Sequence, residues 1–460
     1  MSLLVPIVMF GWIPVVVGLF ALMPARHAVL ASFLIAWLFL PIVGYKIEGL
    51  PDYTKMSATC LGALLGAAIF DWSRLERFRP GWVDVPMLVW CLCPFASSLS
   101  NDLGAYDGLS GAFKQTTTWG FPYLLGRVYF SDQEGLRDLA VGIFVGGLVY
   151  VPLCLYEIKM SPQLHRMLYG FHQHDWYDTV RFGGWRPTVF MEHGLMVGMW
   201  MTATSLVGLW LWATGALKRL RGVPMGFLVA ALLGTAILCK STGAMALLAV
   251  GSVVLYAGKI FRTRLPLLGL VVIPLVYMST RLTGAWSGEQ LVTLSRDVAG
   301  EERSLSLTAR LEEEDILRER AMRRPTFGWG GWGRNRREGR GMATDGLWII
   351  SLGMYGTVGL VALTGSLLVP IGLLLLRVPH RAFGDPALAP AVATSVILGL
   401  YAVDNLMNAF VNPAFILAAG GLSGFVGMEM WRGPASSSSS CPAGLPADHS
   451  AAACQVSGRH

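Results

Sequence analysis

Apolar runs of membrane-spanning length follow one another along the chain, separated by short polar connectors. They lie near residues 3–22, 27–44, 55–70, 83–99, 109–127, 136–157, 188–213, 225–240, 242–258, 265–280, 346–376, 387–411 and 413–430. A helix of about 20 apolar residues crosses the hydrocarbon core, where only helices and closed barrels satisfy their own backbone. The third, eighth and ninth runs are short, and abutting runs, as at Lys240-Ser241-Thr242, are easily miscounted. The pattern predicts an all-α polytopic transmembrane helix bundle of about 12–13 spans.

Composition agrees with this reading. The 460 residues are 54% hydrophobic and 14% charged, with a mean hydropathy of +0.53, whereas soluble chains carry about 25% charged residues. The net charge of +7 does not point to nucleic acid, because much of the Lys and Arg lies in connectors and reports orientation. Arg74, Arg77 and Arg79, then Lys218, Arg219 and Arg221, then Lys259, Arg262 and Arg264, then Arg377 and Arg381 all fall on one side of the bundle. The positive-inside rule makes that side cytoplasmic. The connector NDLGAYDG (101–108), with two acids and no base, falls on the other. The first run lacks a charged n-region and a small-residue cleavage site, so it is expected to be retained rather than removed as a signal peptide. The seven cysteines lie in apolar runs or in the tail, which supports neither a disulfide framework nor a cysteine zinc site.

Two long connectors then face outward. The expected organisation is N-terminal spans over 1–157, a first external loop over 158–187 and central spans over 188–280. A large external loop rich in Arg, Gly and Trp follows over 281–345, then C-terminal spans over 346–430 and a disordered cytoplasmic tail over 431–460. The large loop holds twelve arginines against ten acids before Asp345, and long loops are largely exempt from the positive-inside rule. No internal repeat is visible.

The large loop contains TFGWGGWGRNRREGRGMATDGLWII (326–350), in which Gly328, Gly330 and Gly333 form a G-x-G-x-x-G. A dinucleotide fingerprint needs a preceding strand and a following helix in a parallel βαβ unit. Here an Arg-rich, Pro-terminated segment precedes and an apolar run follows, so the expectation is a tight glycine turn at the membrane surface with tryptophans at headgroup level. Upstream, SLTARLEEEDILRERAMRRP predicts a helix ended by Pro325, its acids set before arginines at i, i+4 spacing. Most of its charges read as a solvated face. The HQHDWYD stretch (172–178) offers the pair His172 and His174 with Asp175 beside it, but spacing marks no further convincing ligand, and a surface loop is the simpler reading. Lys114, Glu192, His193 and Asp404 fall in or beside apolar runs, where ionisable groups usually face a bundle interior or a wet cavity. Asp404, Asn408 and Asn412 repeat at i, i+4, i+8 and are expected to share one helix face, either as a site or as helix-to-helix hydrogen bonding.

Two blocks carry a family resemblance. RFGGWRPTVFMEHG (181–194) brings arginines to the entry of a span. From Arg310, RRPTFGWGGWG (323–333) leads to TDGLWIISLGMYGTVGL (344–360), where Asp345 stands eleven residues before Gly356. With about a dozen spans and a large outward loop late in the chain, these blocks resemble the O-antigen ligase and polymerase superfamily of bacterial membrane glycosyltransferases. A histidine commonly stands in the ligases where this chain has Asp345.

The resemblance implies a fold of the GT-C type in the bacterial cytoplasmic membrane. It implies transfer or polymerisation, on the outer face, of a glycan carried by a polyprenyl diphosphate. The acceptor would be a second lipid-linked glycan or a lipid core. No nucleotide, metal or other cofactor is implied. Arg181, Arg186 and Arg310 are the implied diphosphate-binding residues, because planar guanidinium groups hold phosphates bidentately. Asp345 and Arg310 are the implied catalytic residues, with Lys114, Glu192, His193 and Asp404 as further candidates. Thr344-Asp345 before an apolar run also reads as a helix start, with Asp345 as its cap. A transporter or flippase of a lipid-linked or anionic solute is the alternative, and it would call for an internal repeat or paired broken helices. A non-catalytic scaffold is a third reading.

Overall fold

A computed structural model of the protein describes residues 2–47, 50–181, 183–331, 333–335 and 346–427. Asp345 and the 431–460 tail lie outside the described residues. The first half of the chain forms α1 (Leu4–Leu22), α2 (Ala25–Phe39), α3 (Lys55–Phe70), α4 (Trp72–Glu76), α5 (Val85–Ser100), α6 (Ala105–Gln115), α7 (Phe121–Tyr129), α8 (Gln133–Met160) and α9 (Leu164–Tyr169). The second half forms α10 (Gly194–Ala213), α11 (Met225–Leu238), α12 (Thr242–Ile260), α13 (Leu265–Thr283), α14 (Glu289–Ala299), α15 (Glu301–Ala321), α16 (Leu347–Arg377), α17 (Ala389–Asp404) and α18 (Pro413–Gly427). A π-helical turn, Thr116–Gly120, joins α6 to α7. Among the described residues the strands are three short antiparallel hairpins: β1 (Gly44–Ile47) with β2 (Leu50–Thr54), β3 (Val180–Arg181) with β4 (Gly184–Trp185), and β5 (Arg219–Leu220) with β6 (Val223–Pro224).

Among the described residues seven helices are long and apolar enough to cross a membrane, and five shorter apolar helices accompany them. Each of the thirteen apolar runs contains one of these helices or, for 109–127, the α6–π–α7 succession. The architecture is that of an all-α membrane helix bundle. Its centre is α10, which is apolar all round and buried over 89% of its apolar window, against 33% for α12 and for α13. A helix without a polar face has to be surrounded, and α10 packs against α8, α11, α12 and α17.

The two long connectors lie at one end of the bundle together with the start of the chain, where the Ser2 N–H donates to the Tyr169 carbonyl at 3.0 Å. At the other end Arg26 reaches Asp132 at 2.7 Å, Glu134 at 3.3 Å and Asp138 at 3.4 Å.

The described start of the glycine-rich stretch docks its backbone against α16. Helix α16 is broken at Gly356 (φ 67°, ψ −164°), and the turn after α15 threads into the break. Thr357 N–H donates to the Pro325 carbonyl at 2.7 Å, while Trp329 and Gly330 N–H donate to the Gly353 and Met354 carbonyls at 2.9 and 3.0 Å. A Cβ at Gly356 would lie 2.2 Å from the Thr326 oxygen, and one at Gly328 would lie 2.5 Å from the Met354 carbonyl carbon. Only glycine admits this backbone-to-backbone approach. The Arg320 and Arg324 guanidinium groups both lie over the Trp329 ring, each 5.0 Å from its centroid. Helix α15 also ends at Ala321, one turn before Pro325, because the chain must already be turning toward the α16 break.

Candidate functional site

The first connector is built around a buried acid that sequence reasoning missed. Glu157, on the last turn of α8, is 0% exposed. Its carboxylate accepts the Leu164 N–H at 3.0 Å, the Thr188 N–H at 2.8 Å and the Val189 N–H at 2.7 Å. The run from Arg186 to Met191 is buried yet neither helix nor strand, so its donors need a partner from elsewhere. Glu157 supplies it. Val189 has φ 51°, a left-handed conformation that a β-branched residue adopts only when its surroundings impose it.

That run ends in Glu192 and His193, which lie before α10 rather than inside a span beginning at 188. Glu192 is exposed, and its charge acts on Lys55. His193 caps α10, its Nδ1 accepting the Leu195 N–H at 3.1 Å. The His193 ring meets His174 edge-on at 4.5 Å and stacks on Phe410 at 5.8 Å. Burial, followed by the charges of His174, Arg186, Arg181 and Arg310, pushes the His193 pKa down to about 3. It is therefore neutral at pH 7, beside three guanidinium groups drawn from two separate connectors.

Each arginine arrives by a different route. Arg181 sits on the β3–β4 hairpin opposite Gly184. Arg186 is 3% exposed and donates to the Lys240 carbonyl at 3.4 Å. Gly194 makes room for it: a Cβ there would lie 2.4 Å from Arg186 Cδ. Lys240 itself, in the tight α11–α12 junction with φ 52°, brings a fourth cation. Its Nζ lies so close over Gly184 that a Cβ on that residue would be 2.2 Å away. In the sequence Lys240 is an ordinary polar break between two apolar runs, and nothing pairs it with Arg181.

Arg310 comes from α15, which is clamped at one point. Arg281, at the end of α13 and 1% exposed, pairs with Glu314 at 2.5 Å and with Asp315 at 3.1 Å. It also donates to the carbonyls of Trp286, Ser287 and Leu311 at 3.1, 3.0 and 3.0 Å. Glu314 further accepts Tyr277 Oη at 3.0 Å and Trp348 Nε1 at 3.1 Å. Arg310 lies one turn before Glu314, and its Nη1 approaches the Met407 carbonyl at 3.5 Å.

Met407 belongs to a turn that corrects a second expectation. Helix α17 ends at Asp404 and α18 begins at Pro413, so Asp404, Asn408 and Asn412 do not share a helix face. Asn408 Nδ2 still donates to Asp404 Oδ1 at 2.7 Å across the turn, and the Arg310 charge acts on Asp404. Asn412 instead caps α18 through the Ala414 N–H at 3.0 Å. Helix α16 starts against the same turn, its Leu347 N–H donating to the Asn405 and Asn408 carbonyls at 2.9 and 3.0 Å. Of the predicted residues, Arg181, Arg186, His193, Arg310 and Asp404 come together at this end of the bundle. Lys114 does not join them, and it lines a separate cavity with Asp52.

Among the described residues no group of three or more His, Cys, Asp or Glu could hold a metal ion. What the arrangement offers chemically is fixed positive charge, contributed by Arg181, Arg186, Lys240 and Arg310, next to a neutral imidazole and a buried carboxylate. Such a set suits an oxyanion carrying more than one negative charge. No protein-family model matches the chain, and no curated protein matches it.

Proposed function

We propose that the protein is a membrane glycosyltransferase of about 12–13 spans in the bacterial cytoplasmic membrane, of the GT-C type. It transfers or polymerises a glycan carried on a polyprenyl diphosphate at the outer face. The observation that carries this reading is the meeting of Arg181, Arg186 and Arg310, from both long connectors, around His193. The diphosphate of the donor binds to these guanidinium groups and Lys240. An acceptor hydroxyl attacks the anomeric carbon, the bond from that carbon to the phosphate oxygen breaks, and polyprenyl diphosphate leaves with the electron pair. Fixed cations stabilise the charge that develops on it. The hydroxyl proton goes to a carboxylate, for which Asp345 is the candidate. The residue after it, Gly346, packs tightly against the Leu406 carbonyl, from which a Cβ would be 2.6 Å away.

Purified protein in detergent, given a polyprenyl-diphosphate glycan and an acceptor glycan, should release polyprenyl diphosphate. Arg310→Lys removes a bidentate contact while keeping the charge, and loss of a charge-assisted hydrogen bond of about 1.5–3 kcal/mol predicts at least about a tenfold fall in rate. Asp345→Asn should cost about 10²- to 10⁴-fold if Asp345 is the general base, and almost nothing if it takes no proton; the cap position of α16, expected at Asp345, falls on Gly346. A wild-type protein that binds the donor without releasing diphosphate would overturn the proposal.

One observation favours a second reading. The break in α16 at Gly356 and the unwound stretch between α17 and α18 resemble the discontinuous helices of transporters. The α16 break is filled by the protein's own Pro325–Gly330 backbone, which leaves only the second as a binding position. Movement of a lipid-linked or anionic solute across proteoliposomes without bond cleavage would favour transport.

A further inference from the structure

Away from the arginine cluster, a cavity of about 370 Å³ lies between the β1–β2 hairpin, the first turns of α3 and the C-terminal part of α6. That volume is within the roughly 300–1,000 Å³ of small-ligand sites. Its lining is mainly apolar, with Ile47, Tyr53, Met56, Leu61 and Phe113 as the large side chains. The π-helical turn Thr116–Gly120 forms one wall, and π-turns occur frequently at functional sites. The wall's hydroxyls are turned inward on the helix: Thr117 and Thr118 donate to the Phe113 and Lys114 carbonyls at 2.6 and 2.8 Å.

Two charged groups therefore define the polar chemistry, the Lys114 ammonium and the Asp52 carboxylate. Neither makes a side-chain ion pair or hydrogen bond within the described residues, and they are not bonded to each other. From the lining residues Phe113 and Leu61, exposed apolar side chains continue along α6 and α3. Tyr106, Leu109 and Phe113 on α6 are 64%, 62% and 45% exposed, and Leu61 and Leu65 on α3 are 37% and 48% exposed. In a membrane bundle such a stripe faces lipid.

We infer that this cavity binds the headgroup of a bilayer phospholipid bearing both a phosphate and an ammonium, with Lys114 on the phosphate, Asp52 on the ammonium and the acyl chains leaving along the α3–α6 stripe. The sign of the charges selects the occupant. A lysine that merely snorkels to the membrane surface needs no carboxylate beside it. A phosphodiester without an ammonium meets Asp52 as a like charge, and a diphosphate meets it more strongly still.

Native mass spectrometry of the detergent-purified full chain, mixed with phosphatidylethanolamine, phosphatidylglycerol or polyprenyl phosphate, tests this directly. Phosphatidylethanolamine should be retained at the lowest concentration and at one molecule per chain. Lys114→Gln should weaken that binding by about tenfold, the worth of one charge-assisted hydrogen bond of about 1.5 kcal/mol. Asp52→Asn should bring phosphatidylglycerol level with phosphatidylethanolamine. Equal retention of both phospholipids by the wild type overturns the inference. So does preferred retention of polyprenyl phosphate, which would make the cavity part of a donor path. Because the readout is lipid binding, its failure leaves the glycosyl-transfer reading to be decided by diphosphate release.

Discussion

The two connectors deliver their arginines by opposite means. Around Arg186 the backbone is irregular, and one carboxylate, Glu157, takes two of its N–H groups together with that of Leu164 at the start of α9. Around Arg310 the backbone is a helix that satisfies itself, and one buried arginine, Arg281, ties it to α13 through Glu314, Asp315 and the Leu311 carbonyl. The acid in the first case replaces missing backbone hydrogen bonds. In the second it orients an element already complete. A buried acceptor surrounded by N–H donors is a local device, felt over a few residues. A buried ion pair between α13 and α15 sets the position of a whole helix, including Arg310.

The difference predicts unequal losses. Arg281→Met leaves Glu314 buried without its cation, and breaking a buried pair on one side costs about 3–5 kcal/mol. Thermal unfolding in detergent should show this as the largest drop among the variants considered, and Arg281→Met/Glu314→Leu should recover part of it: apolar replacement of both ion-pair partners is often neutral, but it leaves Tyr277 Oη and Trp348 Nε1 without their acceptor. If the double variant is no more stable than the single, the pair does more than hold α15 in place.

Glu157→Gln tests the local device. Glutamine keeps one carbonyl oxygen but adds an NH₂ that the Thr188 and Val189 N–H groups cannot use. Losing one hydrogen bond to a charged acceptor costs about 1.5–3 kcal/mol, and the loss should concentrate in hydrogen exchange of residues 186–193 while α15 exchanges as before. Uniform deprotection of both connectors would show that they are one cooperative unit and dissolve the contrast. Lys240→Met is expected to be milder. A partly exposed charge is worth about 0.2–1 kcal/mol, so donor affinity should weaken by at most about fivefold, less than for Arg310→Lys. A larger effect would move Lys240 from the margin of the cation cluster to its centre.

Hydrophobic pattern made the bundle legible because span length and hydropathy are properties of single segments. The thirteen runs fall on helices for that reason. The site was legible only where chemistry and position coincided, as at Arg181, Arg186 and Arg310. Glu157 was hidden in the last turn of a long apolar run, with no charge pattern to distinguish it from a helix-end acid. Lys240 was hidden because its partner, Gly184, carries no side chain and lies 56 positions away in sequence. The i, i+4, i+8 spacing of Asp404, Asn408 and Asn412 misled because apolar periodicity continues through residues 405–412, although the backbone there unwinds to meet the start of α16. The same limit applied to the glycine turn: its composition announced a turn, but the break in α16 that receives it is a long-range contact.

The remaining effect is a slope with pH, and it belongs to the first connector. His193 is pushed from an ordinary 6.5 down to about 3, first by burial and then by His174, Arg186, Arg181 and Arg310. Between those two values the unfolded chain takes up a proton that the folded chain does not. The contribution of a neutral His193 to stability is therefore fully present above pH 6.5 and is lost as pH falls toward 3. His193→Asn keeps an acceptor for the Leu195 N–H at the start of α10 and removes the titration. Unfolding midpoints measured from pH 7.5 to 5 should fall for the wild type and fall less for His193→Asn, with the two proteins closest in behaviour at pH 7.5. Parallel curves across that range would mean that the cations around His193 relax when it is protonated, and that the first connector is less rigidly set by Glu157 than its hydrogen bonds indicate.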